Sequence, residues 1–261
     1  MATRGRGYGL NPDVNPNNPT YAFIVQRDLQ PIVDLRKDMP PIYDQGMLGS
    51  CTANALGAAF EYNQMKNLVP YTCMPKNPPT VFMPSRLFIY YNERVLGGNV
   101  MYDTGAALED GVMSLYNHGV CPETVWAYNT DKFINKPPKT AYWKAKKTRV
   151  RNYKKIPKEL AQLRASLSEG YPISFGMQIF ESFESDTVAK HGMVPYPAPF
   201  EECYGGHAVL LVGYNDNLKL FIVRNSWGDD WGDDGYFFMP YEYVLSSYCR
   251  DFWVLVNVES D

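Results

Sequence analysis

No run in this sequence approaches eighteen apolar residues, the length a helix needs to cross a bilayer, so no membrane-spanning helix is expected. The start, Met1-Ala2-Thr3-Arg4-Gly5-Arg6-Gly7-Tyr8-Gly9, is basic but lacks the apolar stretch of a cleaved secretory signal. A basic excess is missing too. Lys and Arg number 25 against 28 Asp and Glu, a formal net charge of -3, so bulk charge gives no support for nucleic acid as a partner. Histidine is scarce, with only His118, His191 and His207. The cysteines Cys51, Cys73, Cys121, Cys203 and Cys249 form no Cys-x-x-Cys pair. A zinc site would have to be assembled from scattered ligands, and neither a metal nor an organic cofactor is expected. Five cysteines leave one thiol unpaired within a monomer; oligomeric state is left open.

What is present suits a folded chain. Of 261 residues, 45% are apolar and 15% aromatic, enough for a sizeable core in one large domain or two closely packed lobes. Residues 1–32 read as an irregular N-terminal extension, with Asn11-Pro12 and Asn18-Pro19 as turn signals and a short strand at 21–25. The extension suits a tether, a packed arm or a pro-segment lying over a cleft. Residues 33–258 form the main domain, mainly helical over 33–155 and mainly β over 156–258.

Alanine-rich spacing predicts a helix from Cys51 to about Lys66, followed by a proline-rich loop at 70–80. Further helices are expected over 84–94, over about 104–118 with Gly119 at its end, and over 158–169 behind Pro157. The polar, lysine-rich segment 129–157 reads as a solvated connector. Strands are predicted at Ile173–Ile179, Ala208–Val212, Leu220–Arg224, Tyr236–Met239 and Phe252–Val258. Helices first and strands later make the class α+β.

Three residues could carry nucleophilic chemistry. Cys51 opens a helix, where backbone amides and the helix dipole favour a thiolate and could bind charge developing on a substrate oxygen. A buried small apolar residue in an alanine-rich helix is the plain alternative. His207 stands at the mouth of a strongly apolar strand, after Gly205-Gly206, where it could take the Cys51 proton and return it to a leaving group. Asn225, after the next strand, could accept an N–H bond from the imidazole, with Trp227 as a shield. Gln45, six residues before Cys51, could aim an amide donor at the same place. Taken singly, His207 could be structural, Asn225 a turn residue and Gln45 a loop cap.

Jointly, Gln45, Gly49-Ser50-Cys51, His207-Ala208-Val209, Asn225-Ser226-Trp227-Gly228 and Trp231-Gly232-Asp233-Asp234-Gly235-Tyr236-Phe237 resemble the papain-like cysteine peptidases, in family order and from about Val33 to Val256. The sequence around Cys51 looks like a microbial or viral branch rather than an animal cathepsin. The resemblance implies a two-lobed fold, with a helical lobe, an antiparallel β-barrel-like lobe and the active site in the cleft between them. It implies a cysteine endopeptidase that hydrolyses polypeptides through a thioester. Cys51 would be the nucleophile, His207 the acid and base, Asn225 its orienter, and Gln45 with the Cys51 amide the oxyanion site. Substrate contacts are expected from Gly49, Ser50, Asp103, Thr104, Gly105, Met193, Val194, Gly206, Ala208 and Trp227.

Departures from the pattern are equally concrete. Thr52 stands where the family commonly has Trp, and Leu48 where many secreted members have a cysteine whose disulfide partner falls near Asp103. A scaffold without that cross-link suits a reducing cytoplasm or a virion, with a secreted or lysosome-like compartment as the alternative. Residues 1–44 are too few for the usual long helical pro-region. If residues near Tyr8–Pro19 crossed the cleft, they would act as an intramolecular inhibitory segment. The rival functions are a catalytically silent peptide-binding or structural protein on the same fold, and a cysteine-dependent exopeptidase or acyl transferase.

Overall fold

The alanine-rich run does form helix α1 (Cys51–Lys66), and every residue from Cys51 to Gln64 is buried. The computed structural model describes residues 7–13, 15, 20–25, 28–66 and 81–260, so the proline-rich loop expected at 70–80 and Cys73 lie outside the described residues. Burial on all sides means that α1 runs through the interior rather than over the surface. Ala53, Ala55, Gly57, Ala58 and Ala59 keep it slim enough for close packing. Its polar side chains are satisfied nearby. Asn54 Nδ2 donates to Ser50 O at 2.9 Å, and Asn63 Nδ2 donates to the carbonyls of Ala59 and Leu255 at 2.8 and 3.1 Å. Leu56 and Phe60 are fully buried, and side chains of that size each contribute about 2–3 kcal/mol by leaving water.

Helix α2 (Arg86–Leu96) begins at Ser85, whose hydroxyl accepts from the Phe88 amide at 3.1 Å. Helix α3 (Leu108–Asn117) starts later than its sequence pattern suggested, because Ala106–Ala107 is extended and pairs with the N-terminal arm. Gly119, at φ +73, follows its end as expected. Helices α1 and α3 pack on one face of a seven-stranded sheet, and α2 packs against both of them.

Six strands of that sheet, β4 (Thr148–Lys155), β5 (Ile173–Phe180), β6 (Cys203–Asn215), β7 (Leu220–Arg224), β8 (Tyr236–Pro240) and β9 (Cys249–Ser260), run in the order β4-β9-β5-β6-β7-β8. The seventh, β2 (Ile32–Asp34), pairs with β6, and every pairing is antiparallel. Strand β6 is covered on both faces. Ala208, Leu210 and Val212 join the core around α1, while Val209, Leu211 and Tyr214 join a second core on the far side. Its unbroken apolar run is the mark of a strand buried on both sides.

The barrel-like lobe expected from the sequence is not formed: β4 and β8 never meet, and the sheet stays open. Each edge is occupied by other chain. The Tyr21 amide donates to Lys155 O at 2.8 Å on β4. On β8, Phe238 N donates to Gly192 O at 2.7 Å and Phe238 O accepts from Val194 N at 3.0 Å. Those bonds use the edge groups that closure would need. The connector expected at 129–157 instead holds helix α4 (Lys139–Ala145) and β4. Val150 is fully buried there, while Arg151 and Asn152 face water. Residues 21–25 make only an edge contact rather than a regular strand. Helix α5 (Leu160–Ser168) packs against β5 and β6, close to the helix expected over 158–169. Among the described residues, no helix is long and apolar enough to cross a membrane.

Candidate active site

Cys51 is the first residue of α1 and is completely buried. Burial pushes its thiol up to about 11; backbone N–H groups of Ala208 and Gly9 oppose that rise, Glu93 adds to it, and the Thr52 amide opposes it. The helix-terminus effect expected from sequence is therefore outweighed by loss of water. The cause of the burial is the N-terminal arm. Strand β1 (Leu10–Asn11) pairs in parallel with β3 (Ala106–Ala107), and the Ala106 amide donates to Gly9 O at 2.7 Å.

His207 lies on β6, fully buried, immediately before the Ala208 amide that faces Cys51. Its Nε2 is 2.9 Å from Asn225 Oδ1, a hydrogen bond from within β6 to the residue that follows β7. Asn225 Oδ1 also accepts from the Ser226 amide at 2.9 Å, and the Asn225 amide is held by Gly235 O at 3.0 Å. Trp227 stacks on the imidazole with ring centroids 4.9 Å apart, and is itself packed edge-on by Phe183 and Trp231. This indole lid keeps water from the His207–Asn225 bond.

Gln45 is buried and held from several sides. Its Nε2 donates to Leu48 O at 2.9 Å and to Gly7 O of the arm at 3.3 Å; its Oε1 accepts from Ser226 Oγ at 2.6 Å; its own amide donates to Ser226 O at 2.9 Å. Ser226 thus ties Gln45 to the segment that carries Asn225.

Of the expected substrate contacts, the structure gathers Gly49, Thr104, Gly105 and Gly206 against the arm. A Cβ on Gly49 would lie 3.3 Å from the Gly9 Cα, and one on Gly105, at φ +73, would meet the Gly9 carbonyl. Asn11 Nδ2 donates to Thr104 O at 3.1 Å. Gly206 has room only for hydrogen, since a Cβ would come within 2.9 Å of Leu10 O. Ala208 and Trp227 line the same region through Cys51 and His207. Ser50 turns away into the protein, its hydroxyl 2.5 Å from Tyr128 Oη. Asp103 points at the Gly49 amide and Tyr90. Met193 and Val194 sit along the β8 edge beside Phe238, with Val194 in the core.

The sequence pointed to a segment near Tyr8–Pro19 that could cross the cleft, but it did not single out the contacts that segment makes. Leu10 fits against Gly176 and Gly206, and a Cβ on either glycine would strike it. Tyr8 packs on Trp227 at 6.4 Å between centroids and donates from its hydroxyl to Glu184. Asp13, almost wholly buried, accepts from Lys155 Nζ at 2.7 Å, Trp253 Nε1 at 2.9 Å and the Glu109 amide at 3.0 Å. The alternation Gly5-Arg6-Gly7-Tyr8-Gly9 was the available signal: glycine at every second position marks a backbone that must approach another closely. Glu93, on α2, was also unremarked. It is completely buried, accepts from Thr52 Oγ1 at 2.8 Å, and is pushed up to about 8, chiefly by burial. Among the described residues, no group of His, Cys, Asp and Glu is arranged to hold a metal ion.

Residues 104–249 match the family described as papain family cysteine protease. A peptidase C1-like protein of Acanthamoeba polyphaga mimivirus is 42% identical over 240 residues, spanning 88% of this chain and 74% of that one. The crystal structure of xylellain, a cysteine protease from Xylella fastidiosa, superposes with a TM-score of 0.83 at 35% identity, covering 100% of this chain and 99% of that one. A procathepsin B from Trypanosoma congolense shares the fold at a TM-score of 0.74 and 15% identity, with 98% and 87% coverage.

Proposed function

The chain belongs to the papain family of cysteine proteases, and on that premise we propose that Cys51, His207, Asn225 and Gln45 hydrolyse peptide bonds in a cleft which the N-terminal arm keeps closed. The observation that carries the catalytic reading is the coupling of β6 to α1. His207 is oriented by Asn225 at 2.9 Å, and the next residue, Ala208, turns its amide onto the Cys51 thiol.

In this reading His207 Nδ1 takes the Cys51 proton. The thiolate attacks the peptide carbonyl carbon, and the oxyanion is bound by the Gln45 amide and the backbone N–H at the start of α1. Collapse breaks the C–N bond, and the His207 proton goes to the departing amine. Water, deprotonated by His207, then attacks the thioester, releasing the acid and restoring the thiol. Asn225 acts by holding the ring, because a bond at Nε2 leaves Nδ1 for the chemistry.

The arm is read as an intramolecular inhibitor. Gly9 presents its N–H to the Cys51 thiol, while its carbonyl is engaged by Ala106, so the nucleophile faces a donor rather than an electrophilic carbon. Gly7 O accepts from Gln45, the donor meant for the oxyanion. Leu10 occupies an apolar niche beside Gly176 and Gly206, which favours polypeptide substrates carrying leucine or a similar side chain at that position. Among the described residues, Cys51, Cys121, Cys203 and Cys249 are all free thiols, which supports work in a reducing cytoplasm or a virion.

The test is hydrolysis of a leucine-containing fluorogenic peptide by three full-length proteins. Cys51→Ala should be inactive, and turnover by it would refute the nucleophile. Gly9→Leu, whose side chain would have to enter the space of the Gly49 carbonyl, should raise the initial rate by about tenfold or more over the wild type. Equal rates would remove the inhibitory role.

A further inference from the structure

We propose that Asp103 is a positioning residue for peptide hydrolysis, holding the Leu48–Gly49 peptide group and, through it, the Gln45 amide at the place where the oxyanion forms. The inference rests on the reading of Cys51 and Gln45 given above.

One peptide unit is gripped at both ends. Its carbonyl, Leu48 O, accepts from Gln45 Nε2 at 2.9 Å; its N–H, on Gly49, donates to both Asp103 oxygens at 3.1 and 3.0 Å. The Gln45 side chain is held through Nε2 at Leu48 O and, in the arm, Gly7 O, and through Oε1 at Ser226 Oγ, while its backbone bonds Ser226 O and Tyr128 Oη. Once the arm and Gly7 are displaced, the Leu48 and Ser226 bonds together set where the NH2 group points, and Asp103 fixes the peptide that carries the Leu48 acceptor. Gly49 lacks a side chain that could hold this peptide by packing, and the Ser50 amide reaches back to Leu48 O at 2.8 Å, so the loop is a tight turn hung from the carboxyl group.

The carboxyl group is itself anchored. Tyr90, fully buried on α2, donates its hydroxyl to Asp103 Oδ1. Burial, followed by the bond and charge of Asp103, holds the phenol far above its ordinary range, so it stays a donor. The same Tyr90 oxygen accepts from the Gly105 amide at 3.2 Å. Gly49 and Gly105 are the two backbones that press on Gly9 from either side. One carboxyl group and one phenol therefore set the spacing of the two groove walls as well as the direction of Gln45. The residue was expected as a substrate contact; its bonds run instead to the loop that carries the oxyanion donor. Asp103 is exposed on its outer side, so replacing it leaves no buried hole and the fold should tolerate the change.

The experiment uses the full chain carrying Gly9→Leu, so that the cleft is open, with the fluorogenic leucine peptide. Adding Asp103→Ala should lower kcat about thirtyfold while KM stays within about threefold, as expected when a preset donor loses its aim. Alkylation of Cys51 by iodoacetamide, which needs the thiolate and no oxyanion site, should stay within about twofold of the parent. Affinity for a peptide aldehyde, whose hemithioacetal oxygen uses the same donors, should fall in step with kcat. Asp103→Asn keeps an acceptor for Gly49 and should lose only about fivefold in kcat. Unchanged kcat in these variants overturns the proposal, and so does alkylation that falls as far as kcat, which marks general damage to the cleft. If Asp103→Ala does not fold, Asp103→Asn decides alone by the same two readouts. Failure of the underlying catalytic reading shows separately, as turnover by Cys51→Ala.

Discussion

Cys51 sits where two effects compete, and burial wins. A helix N-terminus lowers a thiol, but complete removal from water under the arm pushes this one up to about 11. In the closed protein the thiolate fraction at pH 7 is then on the order of one in ten thousand. Iodoacetamide labelling of wild-type Cys51, followed by mass spectrometry, should keep accelerating up to about pH 11, whereas Gly9→Leu should reach its plateau at clearly lower pH; coincident profiles would show that the arm does not set the thiol. Asn225 acts at one remove. Its replacement by Ala frees the imidazole to rotate and exposes Nε2, so kcat should drop about 10- to 100-fold, a smaller loss than Cys51→Ala produces. A loss equal to that of Cys51→Ala would assign Asn225 a more direct part. Glu93 gives a pH signature in stability. Its folded value is raised to about 8, so the folded state holds the proton that the unfolded chain has released above about pH 4.5. Stability is full below that range and falls as pH rises through 8. Glu93→Gln should flatten the decline in melting temperature between pH 5 and 8, an effect of about 1–4 kcal/mol at its upper end. Identical slopes for the two proteins would mean that the carboxyl is ionised in the fold.

At the scale of elements, the arm and α3 depend on each other. Ala107, the capping position of α3, offers no side-chain oxygen, and Asp13 of the arm reaches the Glu109 amide instead. The same carboxyl group pairs with Lys155 on β4 and Trp253 on β9. Asp13→Ala should therefore loosen the arm and uncap the helix together. We expect a faster initial rate in the peptide assay and a stability loss of about 1–2 kcal/mol by urea unfolding. A lower stability with an unchanged rate would separate the cap from the inhibitory role. Element boundaries show what was legible. Helix α1 could be read from alanine spacing, and β7 from Leu220 to Arg224, because local pattern and burial agree there. Strand β4 could not, because Lys154 and Lys155 resemble a solvated run until Asp13 and Asp251 arrive from distant parts of the chain to neutralise Lys155.

At the scale of the whole molecule, an open seven-stranded sheet lies between two cores, with the cleft where the α1 end meets the β6 and β7 ends. The sequence by itself determined the chemistry. Cys51, His207 and Asn225, with Gln45 proposed beside them, are recognisable because catalysis needs particular functional groups in a particular order, and those are properties of residue type. It also determined the α+β class, since helical and strand periods are local. Only tertiary structure decided that the sheet would not close, because chain from 20–21 and 192–194 claims its edges. Only tertiary structure turned Asp103 from a wall residue into a support for Gly49, and brought Gly7, Gly9 and Leu10 across the thiol. Each of these depends on contacts between segments distant along the chain, and local propensity carries no information about which remote backbone will take up an unpaired N–H or carbonyl group.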